Sequence, residues 1–294
     1  MTVYYLVLYS TPDKSHRRPT PPEVQPRPKS WYLDPLVAAQ KREVHQRLVR
    51  RWLNGAAPHS VLKTDVFEEA FGRDQLLFDL FPKAGLVVGM DIDPTHAAAA
   101  QHNAPPRPFA FLVTDVRRTA FRPSSFDVIL SNSTLDHFDT AAELRSALDE
   151  LARLLRPGGT LIVTLDNPRN PFYRILRWLS RRRFAPFSLG CTASRRQLNA
   201  WLEASGLIVT TNDWLIHNPR LLSTALFLAL RRTLGRSADP LIRALLGLFS
   251  LLGRLPTRSL TACFVAACAH KPADKRTPAG PLHPWPGRQY TRTQ

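Results

Sequence analysis

The sequence is poor in cysteine, and its apolar residues never form a long run. Its 294 residues include only Cys191, Cys263 and Cys268, with no Cys-x-x-Cys pair. We therefore predict no disulfide framework and no metal site. The absence of any run of 18 apolar residues argues against a membrane-spanning helix. Residues 1–10 are apolar but lack the basic start and cleavage site of a secretory signal. We expect a cytoplasmic protein, soluble or peripheral to a membrane.

Acidic residues are also scarce, with 23 Asp plus Glu against 40 Lys plus Arg and a net charge of +17. The imbalance is uneven along the chain. Residues 31–168 carry 15 basic and 17 acidic residues, whereas 169–196 carry eight basic residues and no acid. Residues 216–270 carry seven basic residues and one acid. A polyanion-binding core is therefore disfavoured, and the charge points to two late segments and the tails.

Composition divides the chain into three parts. Residues 1–30 are rich in proline and predict a flexible segment, and residues 271–294 predict a disordered basic tail. Between them, at 31–270, short apolar strands alternate with helical patterns, which predicts an α/β fold with a doubly wound, parallel sheet. A helical insertion at 216–260 precedes the last strand. The predicted strands are 60–62, 85–91, 109–114, 126–130, 160–165, 207–211 and 261–269.

Polar residues follow the predicted strands, where ligands of doubly wound sheets bind. An acid that closes the second strand can accept both hydroxyls of a ribose, and an acid that closes the third can accept an adenine amino group. Together they predict an adenosine ligand, although such acids also cap the helices that follow. The residues at these strand ends are Lys63, Asp65, Asp91, Ile92, Asp115, Val116 and Ser131.

Three stretches carry a resemblance to a known family. Residues 125–165 contain SFDVILSNSTLDHF and LARLLRPGGTLIVTL, 87–94 read VVGMDIDP, and 114–121 read TDVRRTAF. They resemble class I S-adenosylmethionine-dependent methyltransferases of the ubiquinone- and menaquinone-type group, over about 31–215 and 261–269. The resemblance implies a seven-stranded, mostly parallel sheet and S-adenosyl-L-methionine as cofactor. It puts Asp91 at the ribose, Asp115 beside the adenine, and Ser131 where the fourth strand meets the cofactor.

The first motif departs from that family. The family has an acid followed by GxGxG, but this chain reads VLKTDVFEEAFG. Lys63 replaces the acid, Asp65 replaces the first glycine, and the next glycine is Gly72. One hypothesis is that Asp65 with Glu68 pairs with the cofactor ammonium, while Lys63 or a helix N-terminus meets its carboxylate. The alternative is a loop that no longer binds the cofactor.

The loop after the fourth strand holds the candidate base. Methyl transfer to a hydroxyl or an acidic carbon benefits from a base, and His137 is placed for it, with Asp136 to orient the ring; the alternative is an ordinary polar loop residue. SNSTLDHF lacks the Pro-Pro-aromatic clamp of nucleobase methylation. We therefore expect O- or C-methylation of a small or lipophilic acceptor. The alternatives are a non-catalytic binding or regulatory protein and an RNA-directed enzyme.

Two segments mix arginine with large apolar residues, at 169–196 and 221–256. The first predicts an amphipathic helix on anionic lipid, a groove for an acidic or lipid-linked acceptor, a nucleic-acid patch, or a solvated cap. The second predicts two helices, which form either a hairpin packed on the sheet or a lid facing an acceptor or a membrane surface. The pattern favours contact with a membrane or a lipid-like acceptor over nucleic acid, and it predicts no oligomeric state.

Overall fold

The first described helix begins where the sequence carries its clearest start signal. The computed structural model describes residues 34–72, 75–106, 109–180 and 189–273. Asp34 caps helix α1, accepting the backbone N–H of Leu36 at 2.9 Å, and Pro35 takes the first helical position. Asn54, in the left-handed conformation, ends the helix. The predicted Pro-rich segment at 1–30 and nearly all of the predicted tail lie outside the described residues.

Seven strands form one sheet in the order β3-β2-β1-β4-β5-β7-β6. The strands β1 to β5 run parallel, and β7 runs antiparallel to both β5 and β6. The predicted α/β fold with a mostly parallel, seven-stranded sheet is thus confirmed. The strands are β1 Ser60–Lys63, β2 Leu86–Asp91, β3 Phe109–Val113, β4 Phe126–Asn132, β5 Leu155–Asp166, β6 Ile208–Leu215 and β7 Phe264–His270.

Helices cover both faces of the sheet, so the central strands are apolar on both sides. Two capping boxes fix helix starts: Thr140 with Glu143, and Ser194 with Gln197. The helices are α1 Pro35–Leu53, α2 Phe67–Phe71, α3 Leu77–Leu80, α4 Pro94–Asn103, α5 Ala141–Leu154, α6 Pro171–Ser180, α7 Arg195–Ala204, α8 Arg220–Leu234, α9 Asp239–Leu251 and α10 Arg258–Thr261.

Several element bounds differ from the prediction. Of the helix predicted at 73–82, the described residues contain only the short α3, which starts where the Glu69 carboxylate accepts the backbone N–H groups of Leu76 and Leu77. The strand predicted at 261–269 begins at Phe264, since Thr261 is the last residue of α10. The strand expected to begin at Thr160 begins at Leu155 instead. Gly158, with a φ of +78°, lets the chain turn at that point within the strand.

The predicted helical insertion lies between β6 and β7 and contains α8, α9 and α10. It packs on α1 through a small apolar cluster of Phe227, Ala238, Ile242 and Leu246. Among the described residues, no helix is both long enough and apolar enough to cross a membrane.

Candidate functional site

The carboxyl ends of β1, β2 and β4 meet at the centre of the sheet, where the strand order reverses. In open α/β sheets this reversal opens the crevice in which ligands bind. Most of the strand-end residues predicted from the sequence lie here, because the parallel registers of these strands bring their carboxyl ends to one edge.

Lys63 is buried and paired at the end of β1. Its Nζ donates to Glu69 Oε2 at 2.5 Å and to the backbone oxygen of Asp65 at 2.6 Å. Burial acts to lower the pKa of Lys63, but the nearby carboxylates of Glu69 and Glu68 outweigh it and raise the pKa above the ordinary value. The ammonium is therefore held charged by its own loop, and it must leave Glu69 to meet a cofactor carboxylate.

The loop after β1 does without the conformations that glycine allows. Within 63–72, all of which the structure describes, no residue has a positive φ. The Val66 side chain is fully buried against Gly89 of β2, where a Cβ would come within 2.6 Å of Val66. A glycine on β2 thus provides the space that the loop's larger side chain needs.

Asp91 closes β2 and is almost fully buried, with 7% of its surface exposed. Its Oδ1 accepts the backbone N–H of Asp93 at 2.9 Å, and its Oδ2 accepts that of Val66 at 3.2 Å. His96 of α4 also contacts Oδ2 at 3.2 Å, and this hydrogen bond raises the pKa of His96. A carboxylate offers about four acceptor positions, so Asp91 keeps acceptor capacity for a ribose hydroxyl.

Residues after β2 and β3 supply the neighbouring part of the crevice. Ile92, directly after β2, is 69% exposed, whereas Val116, after β3, is buried, so a ligand can reach Ile92 far more easily than Val116. Both oxygens of the Asp115 carboxylate accept hydrogen bonds from Arg117, and these hydrogen bonds lower the pKa of Asp115. Arg117 also pairs with Glu143. Asp115 can accept an adenine amino group only alongside Arg117.

Ser131 supports the end of β4 from inside. It is fully buried, and its hydroxyl accepts a hydrogen bond from Thr64 at 3.1 Å. The next residue, Asn132, has a buried Oδ1 that no donor reaches among the described residues. It lines a small cavity whose lining residues are Lys41, Arg42, His45, Lys63, Glu68, Leu76, Asn132 and Ser133.

Charges are densely packed beside that cavity. Glu68 pairs with Lys41 at 3.1 Å and lies 3.7 Å from Lys63; burial opposes its ionisation, but the two ammonium groups prevail and lower its pKa to about 2. Burial and the Glu68 charge raise the pKa of Asp65 to about 6. The hypothesis that Asp65 and Glu68 pair with a cofactor ammonium thus concerns one group that is firmly ionised and one that titrates near neutrality.

His137 and Asp136 point to different environments. They lie in a 3-10 turn at Leu135–His137, where His137 is exposed and Asp136 is buried. Asp136 Oδ2 accepts the backbone N–H of Asp166 at 2.7 Å, and its Oδ1 has no partner among the described residues. Burial and the Asp166 charge raise the pKa of Asp136 to about 7. The Asp136 carboxylate holds the end of β5, and no hydrogen bond from a described residue orients the His137 ring.

A second small cavity lies beyond the end of β5. Arg220 and Asp166 form an ion pair at 2.8 Å on its wall. Burial raises the pKa of Tyr173 to about 12 and that of Cys263 to about 11, so neither is a base at neutral pH. The lining residues are Asp166, Asn167, Asn170, Phe172, Tyr173, Arg220 and Cys263.

The strand-end residues fit the adenosine half of S-adenosylmethionine. Asp91 offers an acceptor that a ribose hydroxyl can use, and the exposed Ile92 offers an apolar side chain that a flat base can contact, whereas Val116 is buried. The methionine half meets no glycine cradle, since the loop there is filled by Val66 and by the Lys63 pair. The sequence pattern did not predict Glu69, His96 and Asp166, which reach the site from α2, α4 and β5. The signal that the sequence offered was the presence of acidic residues in the segment where the family has glycines.

Part of the chain matches a family model. Residues 68–163, which run from α2 through most of β5, match the family described as "Methyltransferase domain". The match covers about a third of the chain, and over this stretch the chain is similar to methyltransferase domains. The matched stretch holds the Asp91, Asp115 and His137 positions and ends before the second cavity.

Curated proteins are similar to part of this chain. An uncharacterized methyltransferase of Mycobacterium bovis is 32% identical over 118 residues, which is 39% of this chain and 58% of the relative. A 2-methyl-6-phytyl-1,4-hydroquinone methyltransferase of Synechocystis is 32% identical over 138 residues, 44% of this chain and 42% of the relative. The chain thus spans about half the length of these relatives.

Solved structures share the fold of the methyltransferase domain. The N-methyltransferase NodS of Bradyrhizobium japonicum, in complex with S-adenosyl-L-homocysteine, aligns with a TM-score of 0.50 at 16% identity. The alignment covers 79% of this chain and 87% of NodS. At this identity the similarity establishes the fold and leaves the acceptor undetermined.

Proposed function

We propose that the protein transfers a methyl group from S-adenosylmethionine to a small or lipophilic acceptor, at oxygen or carbon. The observation that carries this proposal is the placement of Asp91 and Ile92 at the end of β2, at the reversal of the strand order. The matching family model and the methyltransferase relatives support it. Asp91, Ile92 and Val116 hold the adenosine, with Asp115 at its edge.

The cofactor brings a methyl group that its sulfonium charge has already activated, so the protein's main task is alignment and exclusion of water. The acceptor enters through the cavity beyond β5, which combines the rings of Phe172 and Tyr173 with the Arg220–Asp166 pair. An amphiphilic ring with a hydroxyl suits this lining, and the hydroquinone named in the Synechocystis relative has that chemistry. The exposed His137 takes the proton from the acceptor.

Cofactor binding is tested first, by titration calorimetry with S-adenosylhomocysteine. Asp91→Ala removes the ribose acceptor, and Asp93→Ala is the matched control, since Asp93 caps α4 two residues away and is exposed. We expect Asp91→Ala to weaken binding at least about tenfold, the value of one charged hydrogen bond. Asp93→Ala should leave the affinity unchanged. Equal affinity of both variants and the parent protein would remove Asp91 from the site.

Transfer is tested with methyl-labelled S-adenosylmethionine and alkylated hydroquinones as probe acceptors. We expect His137→Gln to lower kcat about 100-fold, the ordinary contribution of a general base. Cofactor affinity should not change, since His137 lies on the loop after β4. A proportional loss of cofactor affinity would assign His137 to binding instead.

A second candidate is a non-catalytic protein that keeps this fold for binding or regulation. It is favoured by the loop at 63–72, where the buried Lys63–Glu69 pair and Val66 fill the space of the family's glycines. The same calorimetry decides between the two, because a protein that shows no heat with millimolar S-adenosylhomocysteine does not use it.

A further inference from the structure

Helix α9 has two unlike faces. Its inward face packs on α1, where Ile242 is fully buried and Leu246 is 5% exposed. Its outward face carries Leu241, Leu248 and Leu251, which are 45%, 58% and 49% exposed. At 3.6 residues per turn these three leucines lie within about 80° of one another around the helix axis. They form a continuous apolar stripe that the described residues leave uncovered.

The position of α9 is fixed by polar contacts on its inward side. Gln40 of α1 donates to the backbone oxygen of Leu246 and to Ser250 Oγ. Arg231 at the end of α8 pairs with Asp34 at 2.5 Å and also with Asp239, the first residue of α9. The outward stripe is therefore held in place and does not result from a loosely attached helix.

Exposed basic residues lie on α9 and in the segments next to it. Arg232 and Arg236 precede α9, Arg243 lies within it about 80° around the axis from Leu251, and Arg254 follows it, and all four residues are exposed. The acid on this helix, Asp239, is already paired with Arg231. The apolar stripe therefore belongs to a segment with an excess of exposed cations, which is complementary to a surface that combines negative charge with hydrocarbon.

We propose that the outward face of α9 (Leu241, Leu248 and Leu251), helped by the exposed Arg236 before the helix and Arg243 on its flank, docks the protein on an anionic lipid bilayer. The 13 residues of α9 are too few to cross a membrane. An amphipathic helix of this composition lies in the headgroup layer, where leucines insert and arginines meet lipid phosphates. Docking does not require methyl transfer, and it brings the cavity at the start of α8 close to a source of lipophilic acceptors.

The test is co-sedimentation of the full chain with vesicles, in the absence of S-adenosylmethionine. We expect binding to phosphatidylcholine vesicles that contain phosphatidylglycerol, weaker binding to phosphatidylcholine alone, and loss of binding at high salt. Leu248→Gln with Leu251→Gln should weaken binding at least about tenfold, since two exposed leucines no longer insert. Arg236→Ala with Arg243→Ala should weaken it about 25-fold, at about fivefold for each arginine.

Two controls match these variants. Ile208→Gln changes a side chain of similar exposure, 56%, at the first residue of β6. Arg145→Ala removes an exposed arginine from α5. Neither should change vesicle binding.

Four outcomes overturn the proposal. Equal sedimentation of the parent protein and both double variants would exclude the α9 face. A lower urea midpoint of Leu248→Gln with Leu251→Gln would mean that the leucines pack within the chain, and dimers that dissociate in this variant would assign the face to a second copy. Salt-sensitive binding to RNA without binding to anionic vesicles would assign the arginines to nucleic acid. Because no cofactor is present, failure here leaves the methyl-transfer proposal untouched.

Discussion

Replacing Asp136 with Asn tests whether a buried carboxyl group makes this protein less stable as the pH rises. Asp136 is 4% exposed, lies close to the Asp166 carboxylate, and has one oxygen without a partner among the described residues. Burial is the main cause that raises its pKa from 3.8 to about 7. His137 and Arg220 act in the opposite direction but do not prevail.

The direction in which stability changes with pH follows from which state, folded or unfolded, binds the proton of Asp136 more tightly. Between pH 4 and 7 the folded state keeps the proton that the unfolded state has released, so stability falls as the pH rises through this range. Above pH 7 the folded protein holds a buried carboxylate at full cost. At 1.36 kcal/mol per pKa unit, the shift from 3.8 to about 7 corresponds to at most about 4 kcal/mol.

Asparagine keeps an oxygen that accepts the Asp166 N–H but cannot ionise. We expect Asp136→Asn to be more stable than the parent protein at pH 8, by up to about 4 kcal/mol, with the advantage shrinking towards pH 5. Any cost of burying the amide N–H₂ is the same at both pH values, so the difference between them isolates the ionisation. Urea unfolding at pH 5 and pH 8 measures it.

Asp139→Asn is the control, since Asp139 is exposed a few residues further along the same loop. It should give the same free energy change at both pH values. If Asp136→Asn also shifts stability equally at pH 5 and pH 8, then Asp136 does not titrate in this range and the reasoning from its burial fails.

Three further substitutions test the packing around the site. Lys63→Met should destabilise the fold by about 3–5 kcal/mol in urea because it leaves Glu69 buried without its cation, and adding Glu69→Gln should restore part of the loss; no recovery would mean that the pair is not the cause. Arg231→Met should lower the free energy of unfolding by about 2 kcal/mol because the ion pairs with Asp34 and Asp239 are lost. Arg232→Met, at an exposed position, is the control and should leave the stability unchanged. Thr140→Ala should cost about 1 kcal/mol by removing the capping box of α5, and an unchanged melting temperature would contradict it.

The sequence by itself determined the strands, their order along the chain and the residues at their ends. Asp91 closes β2 and Ile92 follows it because a run of buried apolar residues stops there. Asp34-Pro35 starts α1 because of the local chemistry of helix caps. These features depend on neighbours in the chain, so a pattern of residues predicts them.

Only the tertiary structure decided how those residues are used. Lys63 of β1 pairs with Glu69 of α2, and the Asp136 carboxylate accepts the backbone N–H of Asp166 at the end of β5, so each contact joins two different elements. The leucines of α9 look alike in sequence, and packing against α1 decided that Ile242 and Leu246 are buried while Leu248 and Leu251 are exposed. Burial and charge pairing depend on distant parts of the chain, because desolvation is set by everything that surrounds a group in space.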